Sequence, residues 1–205
     1  MTRYGMVIDT KRCFGCQTCA VACKTTNNLP KGTRWNHIAT SASAEVDCGG
    51  GTFPSIDMTY LPISCQHCAK PACVEVCPTG ASYRSDEGVV LVNAEACIGC
   101  KACIAACPYD VRVLNDDKPA YYLDFAIGDG AEPDHVGGTV DKCNFCYQRI
   151  MNGGQPACME LCPGRARYWG DLDDPQSDAS QALEGRQTMH YLDAEGTEPT
   201  TLYLV

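Results

Sequence analysis

Sixteen of the seventeen cysteines in this 205-residue chain fall into four groups of four. Group one is Cys13, Cys16, Cys19 and Cys23; group two is Cys65, Cys68, Cys73 and Cys77. Group three is Cys97, Cys100, Cys103 and Cys107; group four is Cys143, Cys146, Cys158 and Cys162. Groups two, three and four end in Cys-Pro, at Pro78, Pro108 and Pro163, whereas Lys24 follows Cys23. No other property limits the fold so strongly. The chain has only four Phe and two Trp, so metal centres held by thiols must replace part of the usual apolar core. Metal binding and folding are then one process.

Group three matches C-x2-C-x2-C-x3-C-P, the bacterial ferredoxin run, at every defined position. Group one has the same cysteine spacing without the proline. Groups two and four widen the middle gap and keep the ending. The spacing has a physical reason. A 4Fe-4S cubane needs thiolates at the corners of a tetrahedron. A short C-x2-C-x2-C loop supplies three of them, and the fourth cysteine, one helical turn past the third, reaches the neighbouring cluster of a pair. Gly15 and Gly99 precede the second cysteine, where a missing side chain lets backbone N–H groups approach inorganic sulfur. Proline after the fourth cysteine disfavours helix there and redirects the chain.

Other uses of these cysteines fit less well. Disulfides would require many strained short loops, and the total is odd. Zinc suits C-x2-C pairs but not the x2-C-x3-C-P continuation. Cys48, beside Asp47 and the run Gly49-Gly50-Gly51, has no partner nearby in sequence and reads as a loop thiol.

The groups repeat in a nested order. After group two come Pro78 to Tyr83, a polar turn at Ser85-Asp86-Glu87-Gly88 and a strand at Val89–Val92, which leads into group three. That is a hairpin between two cluster-binding halves. The outer groups carry the same parts in reverse: a strand at Tyr4–Ile8 leads into group one, and group four ends in Pro163 to Tyr168. The expected fold is α+β, two intertwined bacterial-type ferredoxin-like units of two 4Fe-4S clusters each. Residues 1–27 plus 140–172 form the outer unit and residues 60–112 the inner one. Residues 28–59 and 113–139 are irregular connections. Residues 173–205 are a C-terminal extension that packs on a partner, with Ser177 capping a short helix through Glu184 and a last strand at Thr200–Val205.

The three-plus-one rule then assigns four sites. Cluster A takes Cys13, Cys16, Cys19 and Cys162. Cluster B takes Cys23, Cys143, Cys146 and Cys158. Cluster C takes Cys65, Cys68, Cys73 and Cys107. Cluster D takes Cys77, Cys97, Cys100 and Cys103. The sixteen ligands bind iron, and no residue is expected to be catalytic.

The formal charge of −9 excludes nucleic acid as a partner, since phosphate contacts need a basic surface. Four oxidised clusters with their thiolates would add roughly −8 more. Positive charge beside the clusters would offset this and favour the reduced state. Lys24, Lys101, Lys142 and Arg149 adjoin ligand cysteines and are candidates for that role. His67, inside the group two loop, is not expected to ligate, because four cysteines already serve there. Asp173 and Asp174 read as a turn rather than an acid–base pair. No run approaches the ~20 apolar residues of a membrane span. The opening Met1-Thr2-Arg3-Tyr4-Gly5 is neither a secretory signal nor a twin-arginine leader.

Taken together, these features resemble the iron–sulfur subunits of the dimethyl sulfoxide reductase family over nearly the whole chain. The opening Gly5 to Asp9 and the group three segment through Tyr109 are typical of it. Gly170 to Ser177 is more particular and looks most like the branch serving polysulfide, tetrathionate and arsenate reductases. The resemblance implies a non-catalytic protein that docks on a large molybdopterin catalytic subunit. Electrons would run A, B, C, D, with A nearest that subunit, toward a quinol-linked membrane anchor or a soluble electron carrier. Some relatives carry Trp at the Cys100 position and hold a three-iron cluster there; this chain has Cys. Location follows the partner. Co-export with a signal-bearing subunit would give the periplasm or the outer face of the cytoplasmic membrane; the alternative is cytoplasmic. The competing functional reading is a stand-alone polyferredoxin serving a hydrogenase or another cytoplasmic enzyme.

Overall fold

A computed structural model describes residues 2–40, 48–129 and 134–205. Met1, Asp47 and parts of both expected connections (41–47 and 130–133) lie outside the described residues.

The N-terminal strand Tyr4–Asp9 sits inside a four-stranded sheet. It pairs antiparallel with Arg167–Asp171, in the register Tyr4↔Asp171 to Ile8↔Arg167. Its other edge pairs parallel with Thr201–Leu204, which in turn pairs with Thr188–Met189. The run Met6-Val7-Ile8 does not alternate with polar residues because both faces of this strand are covered. Met6 and Ile8 face the main core with Trp169 and Tyr203, while Val7 packs with Ala179 and Leu204 under the helix Asp178–Leu183. Ser177 caps that helix by accepting a hydrogen bond from Ser180 N–H at 3.1 Å. Residues 173–205, read from the sequence as an extension for a partner, thus supply two strands of the chain's own sheet and bury Ala179, Tyr203 and Leu204.

The segment between groups two and three is the expected hairpin, Ser82–Arg84 against Val90–Val92. The outer groups use the same device across the chain: the strand after group four pairs with the strand before group one. The helices follow suit. Thr18–Thr26 packs on Ala157–Glu160, and Ala72–Glu75 on Ala102–Ala105. Each of these four helices carries the third cysteine of its group. Three of them stop before the fourth, where Cys-Pro follows. The helix of group one runs on through Cys23 to Thr26, because Lys24 keeps the N–H that proline lacks.

The connections hold more structure than their composition suggested. Asn36–Thr40 pairs antiparallel with Tyr60–Ser64, and Gly50–Thr52 with Ser55–Asp57. The first pair buries Ile38 and Ile63 in the main core. A two-residue pairing, Val113–Leu114 with Val140–Asp141, ties the exit of group three to the approach to group four. Among the described residues, no helix is long and apolar enough to cross a membrane.

Candidate functional site: four sets of thiols

The loops of groups one and three have the same local shape. Gly15 and Gly99 take φ of 74° and 64°, and the residues after the second cysteine, Gln17 and Lys101, take 62° and 63°. Two left-handed residues flanking one cysteine turn the loop back on itself and present successive thiols to one side. Glycine is also required by packing. A Cβ at Gly99 would stand 2.2 Å from the carbonyl oxygen of Gly138, and one at Gly15 would stand 2.4 Å from the Tyr60 ring.

Cysteines from distant groups meet around common cavities. Cys13, Cys16, Cys19 and Cys162 line one. Cys65, Cys68, Cys73 and Cys107 line a second, and Cys77, Cys97, Cys100 and Cys103 a third. The last four cysteines also converge: the thiols acting on Cys23 are Cys143, Cys158 and Cys146. Asn27 Nδ2 spans two of them, donating to Cys23 Sγ at 3.6 Å and to Cys146 Sγ at 3.9 Å. Cys48 enters none of these sets.

The donor chemistry is that of iron–sulfur ligation, in which N–H groups aimed at the sulfurs help set the potential. Amides of Ser82, Val140 and Ala166 donate to Cys77, Cys97 and Cys162 Sγ at 3.4, 3.5 and 3.4 Å. Among the described residues, no group of three or more His, Cys, Asp or Glu could hold a single ion.

Burial shapes the thiols. It pushes Cys158 and Cys68 up to about 11, and Cys23 and Cys143 strongly upward, reinforced by neighbouring thiols. Such groups stay protonated until a metal displaces the proton, which couples assembly to pH. Cys77 is the contrast. Burial is the largest single influence there and raises it, but the Ser82 amide, the Thr79 hydroxyl and amide and the Ala81 amide together outweigh it and bring it down to about 7.

Residues 56–121 and 131–172 match the 4Fe-4S dicluster domain family. A Halobacterium salinarum protein, provisionally named as the iron–sulfur subunit of a dimethyl sulfoxide reductase, is 44% identical over 210 residues; the match covers all of this chain and 79% of that one. ArrB, the iron–sulfur subunit of the arsenate respiratory reductase of Shewanella sp., is 38% identical over 98% of this chain and 96% of its own. A tetrathionate reductase subunit of Salmonella typhimurium is 37% identical over 98% of this chain and 72% of its own. The chain belongs to the iron–sulfur subunits of the dimethyl sulfoxide reductase family of molybdopterin oxidoreductases. As a member, it is a non-catalytic electron-transfer subunit that carries iron–sulfur clusters.

Within this iron–sulfur subunit, the basic residues next to cysteines differ in setting. Lys101 is exposed. Lys24 donates to the carbonyls of Pro30 and Thr33 at 2.7 and 3.2 Å. Arg149 pairs with Asp129 and Glu160. Only Lys142 is buried, held by the carbonyls of Val90 and Cys143. Asp173 lies in a turn and pairs with Arg3 at 2.8 Å. His67 is fully buried; its Nδ1 accepts a hydrogen bond from Val90 N–H at 3.1 Å, which places the proton of the neutral ring on Nε2.

Two basic residues beside the thiols escaped the sequence reading. Arg112 Nη2 donates to Cys73 Sγ at 2.9 Å, and Arg167 Nη1 to Cys158 Sγ at 3.7 Å. Both arginines are buried, at 4% and 3% exposure. A signal was present: each stands five positions after the last cysteine of its group, Cys107 and Cys162.

Proposed function

We propose that the chain holds four 4Fe-4S clusters in two intertwined ferredoxin-like units. Residues 1–27 with 140–172 form the outer unit and 60–112 the inner one, with 28–59 and 113–139 as connections and 173–205 as a C-terminal extension that also packs on the partner. Cluster A is held by Cys13, Cys16, Cys19 and Cys162, and cluster B by Cys23, Cys143, Cys146 and Cys158. Cluster C is held by Cys65, Cys68, Cys73 and Cys107, and cluster D by Cys77, Cys97, Cys100 and Cys103. The observation that carries this reading is the cavity shared by Cys13, Cys16, Cys19 and Cys162, which draws both ends of the chain to one site. The long-range strand pair Tyr4–Asp9 with Arg167–Asp171 supports the outer unit, as the hairpin supports the inner one.

Each bound cluster supplies one-electron exchange at a potential set by its surroundings. The protein's part is to hold the thiols apart at fixed positions, aim amides at their sulfurs, exclude water and limit rearrangement on reduction. Adjacency sets the relay. Of the charges acting on Cys143, that of Cys65 is the largest, so the cluster B and C sets adjoin. Cys19 and Cys158 share Arg167 as a neighbour, so the A and B sets adjoin too. Electrons pass A, B, C, D. Cluster A faces a molybdopterin-containing catalytic partner, and cluster D faces a quinol-linked membrane anchor or other redox partner.

The test is metal analysis of anaerobically purified protein. About sixteen iron and sixteen sulfide per chain are expected, four of each per cubane. About eight of each, or folded protein with zinc instead, would overturn the four-cluster reading.

A further inference from the structure

Arg112 and Arg167 are buried cations with no carboxylate partner, and unlike buried Lys142, which backbone carbonyls hold, both donate to cysteine sulfur. Arg167 contacts Met6 Sδ at 3.1 Å, Cys158 Sγ at 3.7 Å and Asn36 Oδ1 at 3.3 Å. Arg112 contacts Ser82 Oγ at 2.9 Å and Cys73 Sγ at 2.9 Å. Among the described residues, neither forms an ion pair with Asp or Glu. A buried guanidinium without an anion is costly, so a native structure keeps one only where negative charge faces it. Here the facing groups are sulfurs.

Each arginine also faces two sets of thiols. The thiols acting on Arg167 are Cys158 and Cys19, one from each set of the outer pair, with Tyr203 as a further neighbour. Those acting on Arg112 are Cys73 and Cys65 from one set of the inner pair and Cys103 from the other. The positions correspond, each five residues past the closing cysteine of its motif. One residue of each unit therefore stands between its two sets, on the side where the strand after the motif begins.

We infer that Arg167 and Arg112 are internal counter-charges, one per pair of clusters, each raising the potentials of both members of its pair together. This rests on the four-cluster reading above. A fixed positive charge stabilises the reduced form, which carries one more negative charge than the oxidised form. Because it sits between two clusters, it also weakens the repulsion when both are reduced. Paired clusters then stay close in potential, which keeps a relay free of deep steps. The two arginines are positioning residues: they accept no electron themselves.

The experiment is potentiometric titration of the anaerobic holoprotein, followed by electron paramagnetic resonance, on Arg167→Gln, Arg112→Gln and the two Lys variants. Arg167→Gln should lower two of the four potentials and leave the other two. Arg112→Gln should lower the complementary two. The expected size is at least a tenfold change in reduced-to-oxidised ratio at fixed poise, about 59 mV for one electron. Lys at either position should restore most of the shift. Four full signals at unchanged potentials, with sixteen iron, would overturn the inference alone; a shortfall of iron in the unsubstituted protein would overturn the reading beneath it. Where a Gln variant loses clusters, the Lys variant decides. Near-native potentials sustain the counter-charge, and lost clusters or displaced potentials overturn it.

Discussion

The ring of His67 lies nearly flat on that of Phe145, with centroids 3.7 Å apart and planes 21° from parallel. One belongs to the group two loop and the other to group four, and Phe145 also meets the edge of Trp169 at 4.8 Å. This stack pins the segment carrying Cys65 and Cys68 to the one carrying Cys143 and Cys146.

Phe145→Ala should therefore cost about 3–5 kcal/mol, the range for emptying a buried aromatic site. Its effect should reach across the stack: amide exchange at Val90, whose N–H binds His67 Nδ1, should accelerate. Phe145→Leu should recover part of the stability. Anaerobic denaturation of the holoprotein with exchange mass spectrometry tests this, and a cost under about 1 kcal/mol would mean the junction is held elsewhere.

Cys162→Ser tests the wrapped arrangement. Cys162 shares a cavity with Cys13, Cys16 and Cys19, and the loop so closed spans most of the chain. The variant should lose or alter one cluster and raise hydrogen exchange over Tyr4–Cys23, with exchange over Val89–Cys107 unchanged. The reverse pattern would point to two ferredoxins in tandem.

Asp9 closes the N-terminal strand. Its Oδ1 accepts the amides of Lys11 and Arg12 at 3.1 and 3.3 Å, and its Oδ2 pairs with Arg186 at 2.7 Å. Burial alone would raise its pKa, but Arg186 and the two amides outweigh it and hold Asp9 below the usual carboxylate value. A lowered folded-state value means the contribution is present above the unfolded pKa and fades as pH falls through the folded one. Asp9→Asn should cost about 1–2 kcal/mol, since Arg186 is partly in solvent. The gap from the parent protein should hold steady above about pH 5 and narrow below it. A gap that widens in acid would contradict the sign.

Cys48→Ser should leave iron, sulfide and the reduced paramagnetic spectrum unchanged, because Cys48 lies outside all four sets of thiols. Loss of about four iron would place it among the ligands and displace one of the sixteen.

Sequence spacing made much of this legible because cluster ligation is local in its first three ligands. The strand Tyr4–Asp9, the hairpin before group three and the Ser177 cap could all be read from short patterns. The strands Asn36–Thr40 and Tyr60–Ser64 could not: each finds its partner across a segment rich in Gly and Ser, with no alternation to announce it. Arg112 and Arg167 were missed for a related reason. Adjacency to a cysteine favoured Lys101 and Arg149, which point to solvent or to carboxylates, whereas Arg112 reaches Cys73 from 39 residues away. Distance in sequence hides a charge that folding brings to a sulfur.

The parallel pairing of Thr201–Leu204 with Tyr4–Asp9 puts a constraint on biogenesis. During synthesis the first strand emerges early, yet both its neighbours are made last. Until then its two edges are open, and the Cys13 loop has no partner. The inner hairpin and its cysteines are complete long before that. A cell that loads metal while translation proceeds would fill the middle of this protein first and the sites that join its two ends later. In the interval, the first strand stands with both edges unpaired.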